Sequence, residues 1–125
     1  MIEWFENLPE QCPPKDAVNP EGMTVYRFSF AGIPDEADFI SQRMLNPERV
    51  FNGVDECTAR SLSVFDNIEA CQNRLKLPRN RKRFSSILKV NLEGGDGLIM
   101  KTFRNQNHYS WWRSNTFNFE NVSIA

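Results

Sequence analysis

The chain has 125 residues and a net charge of −1 at pH 7, with 40% hydrophobic and 25% charged residues. These values are typical of one globular domain, residues 1–125, in which the proline-rich residues 1–22 form an N-terminal wrap. The near-neutral charge argues against a dedicated nucleic-acid binder, and no apolar run is long enough to span a membrane. The N-terminus lacks the basic start and apolar middle of a signal peptide, so the sequence predicts a cytoplasmic protein.

The cysteine and histidine counts bear on redox state and on metal binding. Cys12, Cys57 and Cys71 form an odd set without close spacing. Reduced thiols in a cytoplasmic protein are the simplest interpretation of such a set. Because there is a single histidine and no CxxC pair, the sequence predicts no metal site.

The first predicted strand carries an arginine within an aromatic segment. Alternation over residues 23–30 places Tyr26, Phe28 and Phe30 on the face expected to join the core. Arg27 shares the opposite face, and a mid-strand arginine needs an anionic partner. A structural ion pair is the alternative to a ligand, and the carboxylates considered for it are Glu3, Asp55 and Glu120.

Two helices and a short strand are predicted in the middle of the chain. Residues 33–45 are predicted as one helix because acidic side chains fill its first turn. Residues 60–65 are predicted as a strand in which Ser61 and Ser63 point to the same face. This strand leads into the second helix, for which Asp66 is the predicted N-cap.

The C-terminal half is rich in predicted strands. The basic run at 79–83 is interpreted as a solvated loop because no aromatic residues interleave it, with a phosphate or nucleic-acid patch as the alternative. Strands are predicted at 84–92, 98–103, 108–112 and 116–120, with a polar turn at 104–107. The predicted core residues are Phe28, Val64, Phe65, Leu88, Val90 and Phe119, and only one of Trp111 and Trp112 is expected to face inward. The fold class predicted is α+β, with a mostly antiparallel, strand-rich split sheet and two short helices.

Three short patches carry a resemblance to a known family. They are Tyr26-Arg27 on the first strand, Ser63-Val64-Phe65-Asp66 on the middle strand and His108-Tyr109-Ser110 on a late strand. In this order they resemble the ADP-ribosyltransferase fold, and more closely a compact group of bacterial toxins with that fold. Those toxins are delivered between cells and have similar Tyr-Arg, Ser-Val-Phe-Asp and His-Tyr patches.

The resemblance implies an ADP-ribosyltransferase-like protein that uses NAD as its substrate. The residues that it implies at the site are Tyr26, Arg27, Ser61 and Ser63 for NAD binding, and His108 and Glu120 for catalysis. The planar guanidinium group of Arg27, which has a forked set of N–H donors, suits pyrophosphate oxygens. The Glu120 carboxylate would stabilise an oxocarbenium-like state. Further implied partners are a protein or nucleic-acid acceptor and a cognate immunity or antitoxin protein. Glu120 lies in Phe-Glu-Asn instead of the family's Glu-x-Glu, which bears on transfer more than on binding.

A non-enzymatic binding or regulatory module on a similar α+β fold is the alternative function. A single cleft containing Arg27, Ser63 and His108 would favour the enzyme. Dispersal of these side chains over separate faces, together with an exposed aromatic patch, would favour the module. His108 as a hydrogen-bonded core histidine is the structural alternative to a catalytic role.

Overall fold

Six antiparallel strands form one sheet at the centre of the protein. The computed structural model describes residues 2–103 and 107–125, so most of the turn predicted at 104–107 lies outside the described residues. The strands are β1 (Thr24–Ser29), β2 (Leu62–Phe65), β3 (Ser86–Asn91), β4 (Gly97–Lys101), β5 (His108–Arg113) and β6 (Val122–Ile124). They lie in the order β4-β5-β2-β1-β3-β6. The described chain is therefore a small α+β domain with an antiparallel sheet, as the strand and helix patterns predict.

Short helices connect and cover the strands. Those of the described residues are α1 (Gln42–Leu45), α2 (Glu56–Ala59), α3 (Ile68–Leu75) and α4 (Pro78–Arg83), with 3-10 turns at Glu36–Phe39 and Phe119–Asn121. The prediction of one helix over 33–45 is wrong, because two separate N-caps divide this segment. Asp35 caps the 3-10 turn, and the Ser41 side chain accepts a hydrogen bond from the Met44 amide at 3.2 Å to start α1.

The start of α3 lies one residue later than predicted. The side chain of Asn67 accepts a hydrogen bond from the Ala70 amide at 3.1 Å and is the N-cap. Asp66 is not the cap, because its backbone amide still bonds to the Asn107 carbonyl at 3.0 Å and so belongs to the end of the strand region. Both residue types cap helices well, so the sequence alone did not distinguish them.

Apolar side chains are buried on both faces of the sheet. The main core contains Val25, Phe39, Leu62, Val64, Leu88, Val90, Leu92, Ile99, Trp111 and Phe117. The opposite face holds a smaller cluster of Phe65, Cys71 and Ile87, against which Tyr26 and Phe28 are only partly buried. The assignment of β1 faces was therefore wrong, since Val25 is fully buried in the main core. Of the predicted core residues, Val64, Phe65, Leu88 and Val90 are buried, whereas Phe119 is 37% exposed.

The end of the chain departs from the predicted alternation. The segment 116–120 is not a strand, and a 3-10 turn at Phe119–Asn121 leads into β6 instead. Trp111 and Trp112 are both buried, because each face of β5 is covered. The Trp112 indole donates to the Cys57 carbonyl at 2.9 Å on the face opposite the main core.

The N-terminal segment is tied to the sheet and to α2. Trp4 and Val18 form isolated bridges with Ser114 and Ile99, respectively. A disulfide joins Cys12 to Cys57 with a Cα–Cα distance of 5.6 Å, and Cys71 is the free cysteine of the described chain. The expectation of three reduced thiols was therefore wrong. Disulfides persist in oxidising compartments, so the cysteines give no argument for a cytoplasmic setting.

The helices of the described chain are short, and the longest, α3, has eight residues. Across residues 2–103 and 107–125, none has both the length and the apolar character that a bilayer crossing requires.

Candidate functional site: an arginine-lined cleft

The site begins where β1 and β2 separate. These strands pair at a single position, Tyr26 opposite Phe65, whereas β1 and β3 pair along their full length. The guanidinium of Arg27 bridges this opening, because its Nη1 donates to the Ser63 carbonyl at 2.6 Å and its Nε donates to the Asp38 carbonyl. Two backbone carbonyls therefore fix the orientation of the Arg27 fork in the sheet.

The charge of Arg27 is not neutralised by a contacting carboxylate. Both salt bridges in the described part of the chain involve Glu56, so the ion pairs considered for Arg27 with Glu3, Asp55 or Glu120 are not formed. Burial lowers the pKa of Arg27 to about 10, and the nearby charge of Asp38 acts in the opposite direction. The Asp38 carboxylate itself accepts hydrogen bonds from Ser29 Oγ and from the Phe30 and Asp35 amides. Arg27 thus stays charged at neutral pH, and its charge is available to a ligand.

A cleft of about 400 Å³ opens beside Arg27, and we call it the arginine cleft. Four arginines line it, together with the predicted site residues Ser63 and His108. Its described lining is Arg27, Phe28, Phe30, Gln42, Ser63, Phe65, Arg74, Arg79, Asn80, Arg83, Phe84, Phe103 and His108, and contains no aspartate or glutamate. A concave, aromatic-walled and cationic site of this kind suits a ligand with a flat ring and phosphate groups.

Helix α4 supplies two of the four arginines. Pro78 occupies the first helical position, where its missing N–H breaks no helical hydrogen bond. Arg79 and Arg83 are four residues apart, so they share one face of α4, and that face borders the cleft. The segment 79–83 is therefore helical and not the predicted loop, whereas the prediction that its charged residues are solvated is confirmed by their exposure. The aromatic residues that the basic run lacks in sequence are supplied in space by Phe28, Phe84 and others.

Arg74 on α3 was also missed by the sequence analysis. It is exposed and lines the cleft next to α4. The signal available was its position in the last turn of α3, immediately before the basic run. A reading of 74–83 as two consecutive short helices would have placed these three arginines together.

His108 lies at the floor of the cleft between aromatic rings. Its ring centroid is 5.4 Å from that of Phe65 and 5.1 Å from that of Phe103, and its Nδ1 lies 3.0 Å from Thr102 Oγ1. Burial lowers the pKa of His108 below its ordinary value of 6.5, and the charges of Arg74 and Arg27 lower it further. A hydrogen bond with the Thr102 backbone acts in the opposite direction. His108 is therefore neutral at pH 7, as a general base must be.

The structure does not bring all six predicted site residues together. Arg27, Ser63 and His108 line the arginine cleft, whereas Tyr26, Ser61 and Glu120 are not among the residues described as lining it. Ser61 is buried, and its hydroxyl donates to the Thr58 carbonyl at 2.7 Å at the end of α2. Glu120 is exposed on the 3-10 turn before β6, where its amide donates to Asn118 Oδ1. Glu120 therefore does not lie at the cleft, where the resemblance would place it beside the reacting ribose.

Two further observations complete the description of the site. Within residues 2–103 and 107–125, no three His, Cys, Asp or Glu side chains are grouped as metal ligands. Comparison with protein-family models, with curated protein sequences and with solved structures finds no match to this chain.

Proposed function

We propose that this chain is an NAD-binding, ADP-ribosyltransferase-like protein, and that the arginine cleft is its NAD site. One observation carries the proposal: Arg27, Ser63 and His108, which lie far apart in sequence, line one cleft with three further arginines. The dinucleotide carries a pyrophosphate and two flat rings. Guanidinium forks bind phosphate oxygens in pairs, and the aromatic walls suit the rings, so the ligand chemistry matches the lining.

Each residue has a specific part in this proposal. Arg27 is held by the carbonyls of Ser63 and Asp38, and its remaining N–H groups are directed at the pyrophosphate. The Ser63 hydroxyl donates to a ribose or amide oxygen. The neutral imidazole of His108 hydrogen-bonds a ribose hydroxyl or accepts a proton from the acceptor.

The binding part is tested by titration calorimetry with NAD. Arg79→Gln together with Arg83→Gln should weaken binding about tenfold or more, because each arginine supplies charge-assisted hydrogen bonds to phosphate. Lys76→Gln together with Arg81→Gln is the matched control, since it removes the same charge from the same helix pair but not from the cleft. Wild-type protein that binds no NAD at millimolar concentration would overturn the proposal.

The two central residues separate binding from chemistry. Arg27→Lys should weaken NAD binding without unfolding the domain, because an ammonium group cannot form the bidentate contact. His108→Ala should leave the dissociation constant nearly unchanged and reduce the rate of nicotinamide release. Loss of binding in His108→Ala, with turnover per bound NAD intact, would remove His108 from the chemistry.

The absence of a carboxylate from the described lining favours a second candidate, a non-enzymatic binding or regulatory module. Cleavage of the nicotinamide–ribose bond passes through an oxocarbenium-like state that a carboxylate stabilises, and Glu120 does not line the cleft. Incubation with NAD distinguishes the two candidates. Release of nicotinamide supports the enzyme, whereas binding without release supports the module.

Toxin action in the cytoplasm is the biological form of the enzyme proposal. It requires that NAD consumption or transfer to a protein or nucleic-acid acceptor harms the cell, and that an immunity or antitoxin protein blocks it. Expression in bacteria tests this directly. Growth arrest with wild type, relieved by Arg79→Gln/Arg83→Gln but not by Lys15→Gln/Arg49→Gln, whose residues are exposed and do not line the cleft, is the expected result.

A further inference from the structure

The charges of this chain are strongly segregated. Residues 70–92 contain seven of the fifteen lysines and arginines and none of the sixteen aspartates and glutamates. Six of the seven are concentrated at 74–83, which covers the end of α3 and all of α4. The net charge of −1 therefore conceals a cationic segment on an otherwise acidic protein, and this segment creates a local positive field.

The cationic segment borders two depressions and not only one. Arg74, Arg79 and Arg83 face the arginine cleft. Gln72, Leu75, Lys76 and Arg81 line a second, shallow depression of about 540 Å³, which we call the second groove. The two linings share no residue, although both are built from α3 and α4. Cations thus point into both depressions from one pair of helices.

Aromatic rings are present only on the cleft side. Phe84 packs against Phe28 and Phe30 with ring centroids 4.8 and 5.0 Å apart, and the three rings form one wall of the cleft. Phe103 is 62% exposed and lies beside His108 with its backbone at a φ of 60°, a conformation uncommon outside glycine. An exposed ring held at a cleft is suited to stacking on a flat base.

We propose that a single-stranded nucleic acid binds this surface, with its phosphates along α4 from the second groove to the arginine cleft and one base inserted between the aromatic walls. This proposal goes beyond the proposed function, since the base occupies the same cleft as NAD and the two ligands compete for it; it rests on the cleft being an anion site. The pattern of arginine and lysine contacts followed by aromatic stacking is the usual arrangement for single strands. A duplex would keep its bases paired and leave the aromatic walls unused.

Four cations would contact successive phosphates: Lys76, Arg81, Arg79 and Arg83. Neutralising phosphates of a single strand releases counterions, so four contacts predict a slope of log affinity against log salt of about −3. An acidic protein would also be attracted by this charge, but it does not use the base-sized aromatic cleft. For this reason the nucleic acid is the partner that the described surface favours.

The test measures fluorescence anisotropy of a fluorescein-labelled twelve-nucleotide oligouridylate with the full chain. Lys76→Gln/Arg81→Gln should weaken binding about tenfold and reduce the magnitude of the salt slope by about 1.4, because two phosphate contacts are lost. Lys15→Gln/Arg49→Gln is the matched control, since these exposed residues line neither depression and carry the same two charges. Phe103→Ala should weaken oligouridylate binding severalfold without changing the salt slope.

The same variants keep this inference separate from the proposed function. Lys76→Gln/Arg81→Gln should retain wild-type affinity for NAD, so selective loss of oligonucleotide binding supports the inference whether or not NAD is consumed. Equal losses in Lys76→Gln/Arg81→Gln and Lys15→Gln/Arg49→Gln would overturn it, because binding would then follow net charge alone. Tighter binding of a duplex RNA, or of polyglutamate, than of the oligouridylate would also overturn it. Absence of NAD binding with the expected oligonucleotide pattern would overturn only the proposed function.

Discussion

The two faces of the central sheet differ in what fills them. The main-core face is closed by apolar side chains, among which Val25, Val64, Leu88 and Trp111 are fully buried. The opposite face has a small cluster around Phe65 and then opens into the arginine cleft. The same strands serve both faces, because successive side chains of a strand point in opposite directions.

Neighbouring residues of the same strands therefore serve different roles, one set in folding stability and the other at the candidate site. Burial of large apolar side chains on the closed face is the main source of folding free energy. Four arginines line the cleft without a carboxylate in the described lining, and one of them, Arg27, reaches it from the closed face through the gap between β1 and β2. Their like charges repel one another. A negatively charged ligand would relieve this repulsion.

The sharpest way to test this separation uses two neighbours on β2. Val64→Asp places a charge in the closed core, where no partner is available, and should cost on the order of 4 kcal/mol or more. Ser63→Asp places the same charge at the exposed cleft and should change the free energy of unfolding by about 1 kcal/mol or less. Urea denaturation followed by circular dichroism measures both variants.

NAD binding provides the second measurement for these two variants. Ser63→Asp should remain folded and lose NAD affinity, because its carboxylate competes with the ligand for the Arg27 charge. A cooperative melt of Val64→Asp near the wild-type temperature would contradict the assignment of the closed face. Unchanged NAD affinity in Ser63→Asp would contradict the assignment of the open one.

The sequence predicted Arg27, Ser63 and His108 as site residues, but it assigned the other strand residues of the cleft, Phe28 and Phe65, to the core. Arg27 and His108 were identified because each is unusual within an aromatic strand, and strand alternation fixes their environment. Arg74 was missed, and the phosphate patch at 79–83 was only the alternative interpretation, because aromatic partners such as Phe28 and Phe103 come from other segments. Interleaving in space leaves no signal in a single stretch of sequence.

The fold was predicted better in its strands than in its connections. Five of the six predicted strands are present and follow from alternation and turn residues, whereas the strand predicted at 116–120 is absent and β6 was not predicted. Face assignment for β1 required knowing that both faces are covered. The error at Glu120 has a similar origin, since alternation over 116–120 is broken by a 3-10 turn that tertiary contacts select. Cys12 and Cys57 are 45 residues apart in sequence, and the sequence alone does not show that the fold brings them within bonding distance.

The second prediction concerns the disulfide between Cys12 and Cys57. The disulfide holds the N-terminal segment against α2, where the Cys57 carbonyl accepts from Trp112. Replacing Cys12 and Cys57 by serine should lower the free energy of unfolding by about 2–4 kcal/mol, because the unfolded chain gains freedom. NAD affinity should stay within about twofold, since neither cysteine lines the cleft. An unfolding midpoint that does not respond to a reducing agent would show that the bond is not formed.

The third prediction concerns the helix that carries Arg74 over the open face. Asn67→Ala should cost about 1 kcal/mol, because the Ala70 amide loses its cap. Asp66→Ala is the matched control and should cost less than about 0.5 kcal/mol, as an exposed substitution outside the cap. Chemical denaturation of both variants decides between the neighbours. A larger loss for Asp66→Ala would return the cap to that residue.

The smallest predicted effect is a pH dependence that arises on the open face. Burial and the charges of Arg74 and Arg27 lower the pKa of His108 below 6.5, so the free protein holds it neutral at pH 7. In the unfolded chain this histidine has its ordinary pKa and binds a proton more readily. The stability contributed by neutral His108 is therefore present above pH 6.5 and is lost as the pH falls below that value.

Binding of a pyrophosphate should weaken this dependence. Its negative charge screens Arg74 and Arg27 and attracts the imidazolium, so bound NAD raises the pKa of His108 toward its ordinary value. Binding then takes up a proton, and affinity should increase as the pH is lowered from 7.5 to 5.5. Calorimetry in buffers of different ionisation enthalpy measures the proton uptake, and His108→Ala should abolish it. Because the pyrophosphate stays ionised over this range, affinity that falls with decreasing pH would place the phosphates away from His108 and its arginines.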